Sequence, residues 1–175
     1  MRAVRTTVTL AATALAATLA LTACDSGGGE GGGDAKSASG GACAIGGVDI
    51  EVGPANAAPA AGDSGNVPVT VTNKGTECTL NGFPAVGLSA DGDPVAVPAD
   101  KAAKATEVTL AEGAAVSFTL TYVRGEAGAD SLDARTLSVG LPGGSETRSF
   151  PWSYGPVAGA GTPEASVTAF QQAGD

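Results

Sequence analysis

The sequence predicts an all-β domain, an antiparallel sandwich or barrel of about eight or nine short strands. It sits behind a targeting segment and a glycine-rich stretch. Three observations predict this. Runs with period-two alternation recur at short intervals after residue 47, each bounded by Gly, Pro, Asn or Asp. No run carries a convincing helical period. The length, 175 residues, suits one domain with a small core. Aromatic residues make up 4% of the chain, so that core has to be Val and Leu, with Phe83, Phe118, Phe150 and Trp152.

Residues 1–23 read as a signal peptide. Arg2 and Arg5 form a positive start, and residues 8–21 are an apolar run of 14, short for a membrane-spanning helix. The run closes on Leu21-Thr22-Ala23-Cys24, a lipobox, with a small residue directly before a cysteine. The alternative is a plain secretory signal with a chance cysteine. The lipoprotein reading is preferred because a flexible stretch follows at once. Cys24 would take diacylglycerol through a thioether and become residue one, and two acyl chains give stable anchoring where one does not. Residues 24–41 are then the lipidated cysteine and its linker. Eight of the 17 residues from 25 to 41 are glycine, and no apolar period drives packing there.

The folded domain is expected over residues 42–175. Val48, Ile50 and Val52 alternate with Asp49 and Glu51 as a first strand, and residues 53–65 read as a loop. Val67, Val69 and Val71 alternate with Pro68, Thr70 and Thr72 as a second strand. Pro68 cannot donate to a ladder, which predicts a place near the strand start or on an edge. Asn73-Lys74-Gly75-Thr76 reads as a turn, with Asn73 bonding its own backbone. Cys78 opens the next segment, and residues 81–84 turn the chain again. Residues 86–89 and 95–97 form a hairpin around Asp91-Gly92-Asp93-Pro94. Residues 98–105 are taken as loop. Residues 106–110 and 114–123 are strands, the second having the best alternation in the chain: Val116, Phe118, Leu120 and Tyr122 against Ser117, Thr119 and Thr121. Residues 124–133 read as a polar loop, 135–141 and 147–152 as strands about Gly143-Gly144, 155–163 as glycine-rich loop, and 167–170 as a last strand.

Several of these residues carry a resemblance. A strand ending in Thr72-Asn73, a glycine turn, Cys78-Thr79-Leu80 and Gly82-Phe83-Pro84 resemble the bacterial envelope-protein family "domain of unknown function 4232". Leu110-Ala111-Glu112-Gly113 before Val116-Ser117-Phe118, and then Leu141-Pro142-Gly143, are similar to two further signatures of that family. The likeness runs over roughly residues 42–152. It implies an immunoglobulin-like fold and no known activity. Many members carry a second cysteine pair in the C-terminal half, whereas this chain has no cysteine after Cys78.

Once lipidation takes Cys24, Cys43 and Cys78 are the thiols left, and one pairing is open to them. Outside the membrane the compartment is oxidising enough to keep it. A metal or redox pair is the rival reading, made poor by 34 intervening residues and the absence of histidine. Asp91 with Asp93, and Asp130 with Asp133, lack the ligand number and spacing of a calcium loop and read as solvated turns. Glu107 on an outward strand face and Glu112 in a turn read as surface rather than as an acid–base pair. There is no Gly-x-Ser-x-Gly and no Ser-x-x-Lys, so nothing points to nucleophilic catalysis. No metal and no cofactor is expected.

Charge narrows the partners. Beyond residue 23, 7 basic residues face 18 acidic ones, a net charge of −11, which disfavours nucleic acid. The expectation is a monomeric, non-enzymatic binding or interaction domain at the extracytoplasmic face of the cell membrane. The membrane is met through the anchor, and an envelope protein or a glycan is the partner. A structural envelope spacer and a small hydrolase or enzyme subunit are the alternatives. The one aromatic cluster, residues 150–154, supplies the candidate binding residues Trp152 and Tyr154. Against that stands simple packing, in which Phe150 and Trp152 face the core and Tyr154 caps it.

Overall fold

The computed structural model describes residues 40–128 and 130–172. The expected signal peptide, Cys24, and the linker up to residue 39 lie outside the described residues.

The described chain is all-β, with one short 3₁₀ turn, Ile45–Gly47, and no α-helix. The first seven strands are β1 (Val48–Val52), β2 (Ser64–Asn73), β3 (Cys78–Asn81), β4 (Ala85–Ser89), β5 (Val95–Val97), β6 (Glu107–Leu110) and β7 (Ala115–Val123). After these come β8 (Ser131–Leu132), β9 (Thr136–Gly140), β10 (Thr147–Pro151), β11 (Val157–Ala158), β12 (Ala165–Val167) and β13 (Gln171–Gln172). One sheet has the order β1-β2-β7-β12, with β13 also on β7, and the other has the order β10-β9-β4-β5. β3 pairs with β6 and β8 with β11. Every strand pair is antiparallel, and the sheets stay open rather than closing into a barrel. In chain order β1, β2 and β7 take the A, B and E places of an immunoglobulin-like sandwich, and β5, β4, β9 and β10 the C′, C, F and G places. β12 and β13 flank β7 where a D strand would stand, and β6 pairs with β3 instead.

The long strands follow their sequence periods. β7 alternates half-buried and buried along its whole length, and β2 does so from Val67 onward. Val67, Val69, Val71, Val116, Leu120 and Tyr122 are fully buried between the sheets. Three expectations need correction. Residues 124–133 and 155–163 hold the two-residue strands β8 and β11, paired Val157 to Leu132 and Ala158 to Ser131. A pair this short leaves no period to read, and it forms because Val157 is fully buried. The last strand is split into β12 and β13, with residues 168–170 between them outside any strand. Tyr122 and Phe170 join Phe118 and Trp152 in the aromatic core, while Phe83 and Phe150 are half-buried.

Pro68 stands in the middle of a central strand, and the backbone shows why this is tolerated. Its carbonyl accepts from Gly53 N–H at 2.8 Å, just where β1 has ended. Its missing N–H therefore faces the one gap beside β2. Asn56 resumes pairing two residues away, bonding Asn66 in both directions at 2.9 Å. The edge expected for Pro68 exists locally.

Polar side chains close the ends. Asn73 is 1% exposed. Its Nδ2 donates to the carbonyls of Thr76, Leu110 and Ala111 at 2.9, 3.0 and 3.2 Å, and its Oδ1 accepts from Gly75 N–H at 3.0 Å. One amide thus fixes its own turn and the β6–β7 turn together. Arg148, on the edge strand β10, donates to the carbonyls of Ile45 and Val48, both at 3.2 Å, and lies 3.6 Å from Asp49. It links the two sheets along one side. Cys43 and Cys78 form a disulfide with Cα atoms 5.0 Å apart. Beside it, Cys43 N–H donates to Thr79 O at 2.9 Å and Thr79 N–H to Gly41 O at 3.1 Å. The start of the domain is thereby laid along β3.

Two stability predictions follow from these anchors. Replacing Cys43 and Cys78 together by alanine should cost about 3–4 kcal/mol, the chain-entropy value for a loop of this length. Urea unfolding of the oxidised protein against the double variant measures it, and equal midpoints would refute a stabilising role. Asn73→Ala orphans buried backbone groups in two turns and should cost about 2–3 kcal/mol, read in the same titration.

Candidate functional site

The strands run between two poles. At one, residues 41–43 lie on β3, beside the Asn73 turn and the β9–β10 turn. At the other gather the loops 53–63, 124–128 and 152–164. The sequence-predicted aromatics lie at this second pole.

Trp152 follows β10 directly. Its N–H donates to Arg135 O at 2.8 Å, extending the β9–β10 ladder by one residue. This continues the inward side of Arg148 and Phe150, and the indole turns into the core, 6% exposed. It packs edge-to-face on Tyr122, with centroids 5.0 Å apart, and on Tyr154 at 4.8 Å. Its Nε1–H donates to Gly155 O at 2.7 Å. Tyr154 is half-buried, and its hydroxyl reaches Gly53 O at 3.4 Å, the carbonyl that Pro68 leaves without a ladder donor. Trp152 is thus brought beside Tyr154, but with its ring in the interior.

Two residues that the sequence did not single out as site residues complete the cluster. The Tyr122 hydroxyl accepts from Ala58 N–H at 3.3 Å and donates to Tyr154 O at 3.2 Å. Its ring lies over Gly65, its partner across β2 and β7, where a Cβ would stand 2.5 Å from the ring. Arg124 donates to Ala58 O at 2.9 Å and to Pro59 O at 3.4 Å, and its guanidinium lies against Gly155, whose φ is +88°. Tyr122 sits on the inward period of β7, so its burial was readable. Arg124 falls just beyond that strand and carries no period.

This cluster holds three loops in place around an open basin of about 610 Å³, bordered by Gly62, Arg124, Glu126, Asp130, Ser131 and Glu164. Three carboxylates and one guanidinium already bonded to carbonyls make a polar, acidic rim. Such a rim fits a polar surface better than an apolar small molecule. The other acidic candidates stay separate. Asp91 and Asp133 lie 4.0 and 3.4 Å from Arg135 as exposed pairs, worth little. Asp93 is exposed in its turn. Glu107, exposed on β6, accepts from Asn81 at 3.1 Å, and Glu112 is exposed in the β6–β7 turn. Among the described residues no three His, Cys, Asp or Glu gather to hold a metal ion.

The family model described as Domain of unknown function (DUF4232) matches residues 43–171. No curated protein and no solved structure matches the chain.

The packing makes two expectations. Trp152→Ala should lower stability by about 3–5 kcal/mol. Gly65→Ala, which pushes a methyl into the Tyr122 ring, should cost about 1–3 kcal/mol. Thermal melts of both variants test this, and an unchanged midpoint for Trp152→Ala would mean the indole is not a packing element.

Proposed function

This chain belongs to the DUF4232 family, a domain of unknown function, and we propose that it is a lipid-anchored extracytoplasmic protein whose β-sandwich is a non-catalytic binding module. The anchor reading rests on the lipobox ending at Cys24 and the glycine-rich residues after it. The binding reading is carried by one observation. The chain enters the domain at the pole tied by Cys43 and Cys78, and the loop-built basin lies at the opposite ends of the strands. A domain held at its entry pole presents the basin outward. Its loops are braced by buried Trp152 and Tyr122 and by half-buried Arg124, so a partner meets a largely preformed surface, and little ordering cost is left to binding.

The acidic rim and the net charge of −11 beyond residue 23 suit a polar protein or a glycan and disfavour nucleic acid. The basin holds one hydroxyl, Ser131, and the chain has no histidine to activate it, which favours the non-catalytic reading.

Two measurements test the reading. Cys24→Ser should abolish acylation and release the protein from the membrane fraction, as followed by metabolic labelling with a fatty acid. Labelling at the wild-type level would sink the anchor. Crosslinking in intact envelopes, with a photoreactive residue placed at Glu126, should yield a discrete adduct that a placement at Lys74, on the entry pole, does not. Identical patterns from the two placements would remove the basin from the proposal.

A further inference from the structure

β6 is paired along one edge only. Thr79 uses both its N–H and its carbonyl on residues 41 and 43. Cys78 and Leu80 are therefore the β3 residues whose backbone bonds β6, opposite Leu110 and Val108. The N–H and carbonyl groups of Glu107 and Thr109 point the other way. Among the described residues no backbone group meets them. Glu107 and Thr109 are exposed, while Val108 and Leu110 are buried beneath them.

A groove of about 570 Å³ runs along this open edge, between β6 and β13, with buried Phe170 at its side. The far wall is also a strand edge. On β7 the odd-numbered residues face β12 and β13, as Thr168 N–H donating to Thr119 O shows, so Gln171 bonds Ser117 and Gln172 turns its backbone toward the groove. Three other edges are blunted, and β1 is met on its outer side at Val48 O by Arg148. β10 carries Pro151, β5 is flanked by Pro94 and Pro98, and β12 is covered by residues 98–100, with Asp100 N–H on Val167 O at 2.9 Å. The β6 edge has no proline and no such cover among the described residues.

We propose that this groove takes an extended, basic peptide segment of a partner protein, added to β6 as a further strand. Main-chain groups of Glu107 and Thr109 supply up to four hydrogen bonds to any extended segment, and alternate side chains set the preference. The preference is for Lys or Arg. Among the described residues Glu107 is the single charged one lining the groove, and the net charge of −11 beyond residue 23 repels an acidic segment. This deepens the binding-module reading and rests on it.

The test uses residues 24–175 carrying Cys24→Ser, with the labelled peptide Lys-Thr-Val-Thr-Val-Lys and its counterpart Glu-Thr-Val-Thr-Val-Glu. The basic peptide binds saturably in fluorescence anisotropy, about tenfold or more tighter than the acidic one, and slows hydrogen exchange at the amides of Glu107 and Thr109. Thr109→Pro removes an N–H that points away from the β3 ladder, so the melting midpoint holds while binding weakens about tenfold or more. N-methylating the basic peptide at alternate amides gives the same loss with the protein unaltered. The inference is overturned if the basic peptide shows no saturable binding, if Thr109→Pro binds it equally well, or if both amides are already protected without peptide. An envelope adduct at Glu126 that persists in Thr109→Pro, together with any of these results, removes the strand site and leaves the basin reading standing.

Discussion

The pairing of β2 with β7 is the constraint on which the rest of the molecule depends. Nine registered pairs, from Ser64 with Val123 to Thr72 with Ala115, join the two longest strands. Their inward residues supply much of the buried core, and β1, β12 and β13 attach to their outer sides. A slip of β2 by one residue would send Val67, Val69 and Val71 to solvent, away from Leu120, Phe118 and Val116. The register is fixed at both ends by side chains. At one end Asn73 reaches across to the β6–β7 turn. At the other, Gly65 leaves room for the Tyr122 ring. Glycine in a central strand ordinarily weakens it. Here its missing side chain is the space the ring occupies.

A core made of valine and leucine with few aromatics has limited area to bury. The structure offsets this by tying loops down with polar groups rather than by adding apolar bulk. Tyr122 holds the Ala58 and Tyr154 backbones, Arg124 the Ala58 and Pro59 carbonyls, and Arg148 the Ile45 and Val48 carbonyls. Each is a long side chain with an apolar stem and a donor at its tip, able to pack and bond at once. The disulfide does the same covalently for the entry segment, which has no strong apolar anchor before Ile45.

Long alternating runs made most of the fold legible. β1, β2, β6, β7, β9 and β10 lie within a residue or two of the limits their periods set, because each turns alternate side chains toward the core. The two-residue strands β8 and β11 were not legible, since their pairing depends on where distant loops meet rather than on local pattern. A proline argues for an edge, and the edge here is a gap of a few residues in a neighbour that no local sequence reveals. At the site, the neighbourhood of Trp152 and Tyr154 was visible from composition. The inward turn of the indole was also on the page, in the period Arg148, Phe150, Trp152. What it lacked was the partner: only folding shows that Tyr122 lies 5.0 Å away.

This use of residues bears on how such a domain recognises anything. Tryptophan, tyrosine and arginine are the side chains that most often dominate binding energy at interfaces. Here the one tryptophan and Tyr122 are buried, Tyr154 is half-buried, and Arg124 and Arg148 are bonded to carbonyls of their own chain. The outward faces are built mostly of small, hydroxylated or acidic residues: Ala85 and Ser149 on one sheet, Thr70, Thr72 and Thr119 with Asp49 and Glu51 on the other. Such faces provide few anchors for a partner's side chains. Backbone groups do not depend on side-chain size, and they stay available where the sandwich leaves loops braced and an edge unpaired. A domain that commits its large polar and aromatic side chains to internal bracing keeps its main chain as the principal means of specific contact. That is the physical reason why the proposed binding is sought at the loop ends and the β6 edge rather than in a side-chain pocket.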